Sequence, residues 1–221
     1  MKQADRVSIE VGEVLQQDGI RVERFEASLL PDRYIGQLIA KSRQAHILEH
    51  EGHEDVGTAE SPGRFRDRNA FSNWAAKGRI VYLMLRDMDD TYTDVGGVIW
   101  FGQRANDVKP DYDLTFAIRH YTTYDKDSYG SDPDLLQFDD SDVRRDLWGQ
   151  YLGKSYGTPF MQATHKDVTS NVYPDRGVWL SVVDGNDRAV ALYTKVGYHE
   201  IDRIDDPDVA GRTRIVMAYK G

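Results

Sequence analysis

The chain of 221 residues contains no cysteine, which excludes a disulfide framework and any chemistry on a protein thiol. That absence fits a reducing compartment. No run of about 18 apolar residues occurs, so no helical membrane span is expected. The opening Met1-Lys2-Gln3-Ala4-Asp5-Arg6 has no apolar signal core, so secretion is not expected and a cytoplasmic location is. Basic residues are scattered and the formal net charge is −9. This argues against nucleic acid as the main partner, because phosphate binding calls for a clustered basic face. There is no Pro-rich linker and no repeat of fixed period, and the length suits one domain, residues 1–221, carrying an insertion. What is present is ordinary for a globular chain: 40% hydrophobic and 29% charged residues, enough for a sizeable core. The acidic surface raises the local concentration of cations, amines included, and equally serves solubility.

Hydrophobic periodicity outlines a mixed α/β chain built on one sheet. Val7 to Val14 and Ile20 to Phe25 alternate, and Gln17-Asp18-Gly19 between them reads as a hairpin turn. Tyr34 to Gln44 and Arg66 to Lys77 read as helices, the second stopped by Gly78, with a loop over 47–63 between them. Ile80 to Leu85, Val95 to Phe101 and Tyr112 to His120 are successive strands, and Arg214 to Tyr219 is the last. Residues 122–148 stand apart as an acidic insertion, with aspartates at 125, 127, 132, 134, 139, 140, 142 and 146. They lack the Asp-x-Asp-x-Asp-Gly run closed by a Glu that a calcium loop needs, so no metal is expected there.

Two stretches carry chemistry. The first is Asn186 to Tyr198, which follows the apolar run Val178 to Val183 and a turn at Asp184-Gly185. Asn186 stands at a helix N-cap and Gly197 at its C-cap. Asn186 and Tyr193 are seven residues apart, two helical turns, so an amide and a phenol share one face. The second is Leu152-Gly153-Lys154-Ser155-Tyr156-Gly157-Thr158-Pro159. A glycine-bearing loop that opens a helix is suited to bind an anion, and Lys154 adds a point charge. Thr158 is placed to cap that helix and Pro159 to sit in its first turn. Gly-Lys-Ser also occurs in nucleotide-binding P-loops. Those need four residues before the Gly-Lys, where Gly149 and Gly153 enclose three, and Arg144-Arg145-Asp146-Leu147-Trp148 is too polar for the preceding buried strand.

The Asn186–Tyr198 block resembles the second conserved motif of the GNAT superfamily, the acetyl-CoA-dependent N-acyltransferases. Asn186, Ala189, Leu192-Tyr193, Lys195, Gly197 and Tyr198 fall on its pattern. The Leu152–Pro159 stretch resembles the family's pyrophosphate loop, with Leu152 in place of Gln/Arg and Ser155 in place of the middle glycine. The resemblance implies a single α/β domain with a mostly antiparallel sheet, one splayed parallel strand pair and flanking helices. It implies acetyl transfer from acetyl-CoA, as cosubstrate, to the primary amine of a small molecule or peptide. Tyr193 would be the general acid. Cofactor contacts would come from Phe116, Ala117 and Ile118 by main-chain pairing, from Gly153, Lys154, Ser155, Tyr156, Gly157 and Thr158 on phosphate, and from Asn186. His120, Asp113 and Glu60 are candidate bases. Dimers are frequent in the family, so a homodimer is among the expected states. An acyl-CoA-binding protein of the same fold without turnover is the alternative, and an unrelated acidic interaction domain a third.

Overall fold

Val81, Leu83 and Leu85 face one side of their strand and Tyr82 and Met84 the other, and all five are buried. A strand apolar on both faces belongs inside a sheet covered on both sides. The computed structural model describes residues 6–42, 67–103, 112–119, 151, 154–174, 176–206 and 209–219. Among these the strands are β1 (Val7–Ile9), β2 (Ile20–Glu26), β3 (Ile80–Asp87), β4 (Thr93–Gln103), β5 (Tyr112–Arg119), β6 (Gly177–Val183), β7 (His199–Asp205) and β8 (Thr213–Tyr219). The α-helices are α1 (Glu13–Gln17), α2 (Asp32–Ser42), α3 (Arg68–Ala75), α4 (Gly157–Asp167) and α5 (Asp187–Val196). One sheet holds the strands in the order β1-β2-β3-β4-β5-β6-β8-β7. Every neighbouring pair is antiparallel except β5–β6, which is parallel.

Helices cover both faces. On one, Tyr34, Leu38 and Ile39 of α2 and Phe71 and Trp74 of α3 pack on Phe25, Val81, Leu83 and Trp100. On the other, Leu15 of α1 and Phe160 and Met161 of α4 pack on Val22, Tyr82, Phe101, Val178 and Met217. Phe160 and Met161 are fully buried, and burial of each stabilises by about 1.5–3 kcal/mol. The residues of α5 lean on this second core without any being fully buried.

The expected strand over Val7 to Val14 is corrected by the structure. Only Val7–Ile9 pairs with β2, and Glu13–Gln17 is helical, so the connection is not a hairpin turn. Glu, Leu and Gln favour helix, Leu15 is the one residue of the helix that is buried, and Gln17 donates to Glu13 across one turn at 2.9 Å. Gly19, at φ +68, then turns the chain into β2. Strand β7 was not expected. Its His-Glu-Ile-Asp-Arg-Ile-Asp sequence carries no apolar alternation, because it is the polar outer edge of the sheet. The acidic insertion at 122–148 and the loop at 47–63 lie outside the described residues.

Candidate functional site

The parallel pair β5–β6 opens along its length. Tyr112 pairs with Gly177, Leu114 with Val178 and Thr115 with Trp179, and the pairing stops there. Beyond it, β5 stays paired to β4 through Phe116, Ala117 and Ile118, while β6 stays paired to β8. The two inner edges diverge. Main-chain groups on those edges are unpaired between the strands, and an extended chain can pair with them as a ladder would. Helix α5 begins at the C-terminal end of this opening, because β6 runs directly into it, and α4 begins at the same end of the sheet, where Tyr156 reaches Asp18 before β2 and Tyr151 reaches Asp94 near the start of β4.

Helix α4 begins without a side-chain cap. Its N-cap is Tyr156, with φ −67 and ψ −21, whose side chain makes no cap hydrogen bond, and among the described residues no side chain accepts from its first turn. The helix therefore starts before Thr158, which is its second residue and not its cap; Pro159 is the third. A proline there removes one N–H, and the remaining orphan donors of the first turn stay available to an anion. Ser155 has φ +60 and Tyr156 follows in the right-handed region. Successive residues of opposite hand turn their N–H groups into one concavity. Lys154 and Ser155 are exposed, and the Lys154 N–H is held by the Tyr151 carbonyl at 3.3 Å. Gly153 lies outside the described residues.

Helix α5 is capped at both ends. The Asn186 Oδ1 accepts from the Ala189 N–H at 3.2 Å. Gly197 closes the helix at φ +114, and the Tyr198 N–H donates to the Tyr193 carbonyl at 3.0 Å. Tyr193 lies half-buried two turns from Asn186, its ring 5.9 Å from that of Tyr198. An open cleft of about 440 Å³ lies where β6 passes into α5, lined by Val183, Asn186, Arg188 and Arg212 among others.

Behind Tyr193 stands a buried polar pair that sequence reasoning missed. His165 Nδ1 lies 2.8 Å from the Met161 carbonyl and Nε2 lies 2.5 Å from the Tyr198 hydroxyl. Burial pushes His165 down to about 4, so the ring is neutral at pH 7. A carbonyl only accepts, so Nδ1 carries the proton and Nε2 accepts from the Tyr198 hydroxyl. Burial, and then the neighbouring Tyr193 and Tyr219 phenols, hold Tyr198 in its protonated form. The sequence signals were a histidine on the buried side of α4 and the aromatic after Gly197.

Asp94 was missed as well. It is buried near the start of β4 and accepts from the Tyr151 hydroxyl at 2.8 Å and from the Tyr92 hydroxyl at 3.3 Å. Of the candidate bases, Asp113 is on β5, where the structure describes backbone alone, and His120 and Glu60 lie outside the described residues. Among the described residues no three His, Asp or Glu side chains converge as a metal site. No helix among them is long and apolar enough to cross a membrane.

No family model and no curated protein matches the sequence. Solved structures do match the fold. A GNAT-family acetyltransferase from Bacillus anthracis is 10% identical with a TM-score of 0.54, covering 97% of this chain and 98% of that one. A putative GNAT-family acetyltransferase from Bordetella pertussis is 14% identical at 0.55, covering 96% and 98%. Spermidine N-acetyltransferase from Vibrio cholerae, solved with CoA and spermine, is 12% identical at 0.55, covering 92% and 96%. The sequence distance is large, and the shared property is the fold: this chain has the α/β fold of the GNAT acetyltransferases.

Proposed function

We propose, with the GNAT fold as premise, that this chain is an acyltransferase that moves an acetyl group from acetyl-CoA to a primary amine of a small molecule or peptide. The observation that carries the reading is the β5–β6 opening, with an uncapped helix start and a capped, tyrosine-bearing helix at the same end. The residues fit such a cosubstrate. The diverging edges at Phe116–Ile118 offer main-chain partners for an amide-bearing arm. Ser155, Tyr156, Gly157 and Thr158 offer backbone donors and a positive helix end to a pyrophosphate, and the Lys154 side chain offers one cation. Asn186 uses its Oδ1 in the cap, which leaves its NH2 group to meet an amide carbonyl.

In the reaction a neutral amine nitrogen adds to the thioester carbon and the carbon–sulfur bond breaks. The amine loses one proton and the sulfur gains one. Main-chain N–H groups of Phe116–Ile118 would stabilise the oxyanion, and the Tyr193 hydroxyl would protonate the departing sulfur. The spermidine acetyltransferase among the similar structures and the net charge of −9 both support a cationic amine as acceptor. Calorimetric titration with acetyl-CoA, followed by an amine screen read by release of free thiol, tests the reading. Saturable binding and thiol release with at least one amine are expected. No binding at millimolar acetyl-CoA would sink it, and binding without thiol release from any amine would leave the non-turnover alternative.

A further inference from the structure

Two tyrosines precede α4, and each is tied to a carboxylate from a different part of the chain. Tyr151 is buried and its hydroxyl donates to Asp94 of β4 at 2.8 Å. Tyr156 is buried and its hydroxyl donates to Asp18, in the turn between α1 and β2. The two rings meet edge to face with centroids 6.1 Å apart. Between them the backbone is constrained at two further points: Tyr151 holds the Lys154 N–H through its carbonyl, and Ser155 takes the left-handed conformation. A non-glycine residue there is strained and persists only when its surroundings enforce it. The paired tyrosines are that surrounding structure.

The seat of Tyr151 is cut to shape by Gly96. A Cβ at that position would lie 2.8 Å from the Tyr151 Cε1, 2.9 Å from its Cζ and 3.0 Å from the Met84 Cε. Only glycine lets the ring come this close to β4, so Gly96 is as much a part of the arrangement as the carboxylates. Burial, and then the adjacent Asp94 charge, raises the Tyr151 phenol far above its ordinary value. Burial, then the hydrogen bond to Asp18, pushes Tyr156 up to about 12. Both phenols therefore remain donors across the working pH range.

We infer that Tyr151 with Asp94 and Gly96, and Tyr156 with Asp18, are positioning residues that fix the Lys154–Gly157 backbone in its anion-binding conformation. The inference rests on the acetyl-CoA reading above. The clamp acts on the phosphates of the donor, at a distance from the thioester, and that separates it from a general role in folding. It also explains how the loop keeps its shape with Ser155 where a glycine would adopt φ +60 without strain.

The test uses two acyl donors, acetyl-CoA and S-acetylpantetheine, which has the same thioester arm and no phosphate. Tyr151→Phe and Gly96→Ala are made in the full chain. The first removes one buried hydrogen bond to a carboxylate, and the second displaces the ring while keeping its hydroxyl. For both, the KM for acetyl-CoA is expected to rise about tenfold, the size of one lost charge-assisted hydrogen bond. The kcat at saturation and the kcat/KM for S-acetylpantetheine are expected to stay within about twofold of the parent. An equal loss with both donors means a structural role and overturns the inference, as does an unchanged KM for acetyl-CoA. Should Gly96→Ala fail to fold, Tyr151→Phe alone decides. A parent protein that neither binds nor uses acetyl-CoA removes the underlying reading before any variant is compared. A parent that uses acetyl-CoA with unaltered variants removes the clamp alone.

Discussion

The two faces of the sheet are built from the same kinds of residue and put to different ends. Under α2 and α3 the buried layer is mostly aromatic and aliphatic, with the Trp74 ring in contact with both Phe71 and Trp100, and its buried amide, Gln37, is tied to the β4 backbone at Thr93 and Val95. Under α1, α4 and α5 the layer is as apolar in bulk but carries His165, Thr164, Asp167 and a set of tyrosines whose hydroxyls all have work. Asp167 there accepts from Tyr82 at 2.8 Å and from Arg24 at 2.6 Å. Buried polar groups lower stability unless fully partnered, so a face that holds several is shaped by more than packing. On the proposed function, the contrast puts the chemistry on one side of the sheet and support on the other.

The largest effect that can break this contrast is at Tyr193. Tyr193→Phe is expected to lower kcat by roughly 10²- to 10⁴-fold, the range for a lost general acid, with the KM for acetyl-CoA and the melting temperature nearly unchanged. Phe71→Ala should do the reverse. Its ring is 2% exposed, and truncation costs about 3–5 kcal/mol of stability while the folded fraction keeps the parental kcat. Steady-state kinetics beside urea unfolding reads both. Unchanged turnover in Tyr193→Phe would take away the acid role, and reduced kcat in folded Phe71→Ala would mean that the supporting face is not merely supporting.

A smaller effect comes from His165 and is set by pH. The unfolded imidazole titrates near its ordinary value of about 6.5, and the folded one near about 4 because burial disfavours its charge. Between those values the unfolded chain binds the extra proton. Stability is therefore lost as pH falls from 6.5 toward 4 and levels off below. The loss from this group is of order 3 kcal/mol. The groups that face it include the Met161 carbonyl, the Tyr198 hydroxyl and the Phe101, Tyr198 and Tyr219 rings, and none of these supplies a compensating negative charge at that pH. His165→Gln should flatten this part of the stability curve. An unaltered slope between pH 6.5 and 4 would assign the acid sensitivity to other groups.

Much of this was legible where the signals are local. Asn186, the apolar run before it and Gly197 define β6 and α5 because caps and glycine stops act within a turn or two. The β3–β4–β5 meander was legible from apolar runs. Helix α1 was not, because Val7 to Val14 happens to alternate and a five-residue helix has no period to show. β7 was hidden because an edge strand carries no buried stripe. The clamp was the least accessible: Tyr151 and Asp94 are 57 residues apart and Tyr156 and Asp18 are 138 apart. Nothing local pairs them. The one trace was Gly96-Gly97 inside an otherwise apolar strand, a pattern that marks a bulge or a close approach. Both occur: the register shifts opposite Met84 and Leu85, and Tyr151 lies against Gly96.

The smallest effect gives the closest comparison, because each face has one helix capped in the same way. Asp67 Oδ1 accepts from the Ala70 N–H at 2.8 Å on α3, and Asn186 Oδ1 accepts from the Ala189 N–H at 3.2 Å on α5. Truncation of either cap to alanine leaves one orphan donor and costs about 1 kcal/mol. If the caps differed only in position, Asp67→Ala and Asn186→Ala would lower stability alike and do nothing else. If α5 lines the acyl-donor site, Asn186→Ala also weakens binding of acetyl-CoA, through loss of its NH2 group, by several-fold. Asn186→Asp separates the two roles within one residue. It keeps the cap oxygen, and a carboxylate at a helix N-terminus is at least as favourable as an amide, so stability holds. It presents no N–H to a carbonyl, so affinity falls as in the alanine variant. Calorimetry on the three variants beside thermal unfolding reads the split. Equal affinity across all three would reduce Asn186 to a cap like Asp67 and leave the donor arm to the strand edges alone.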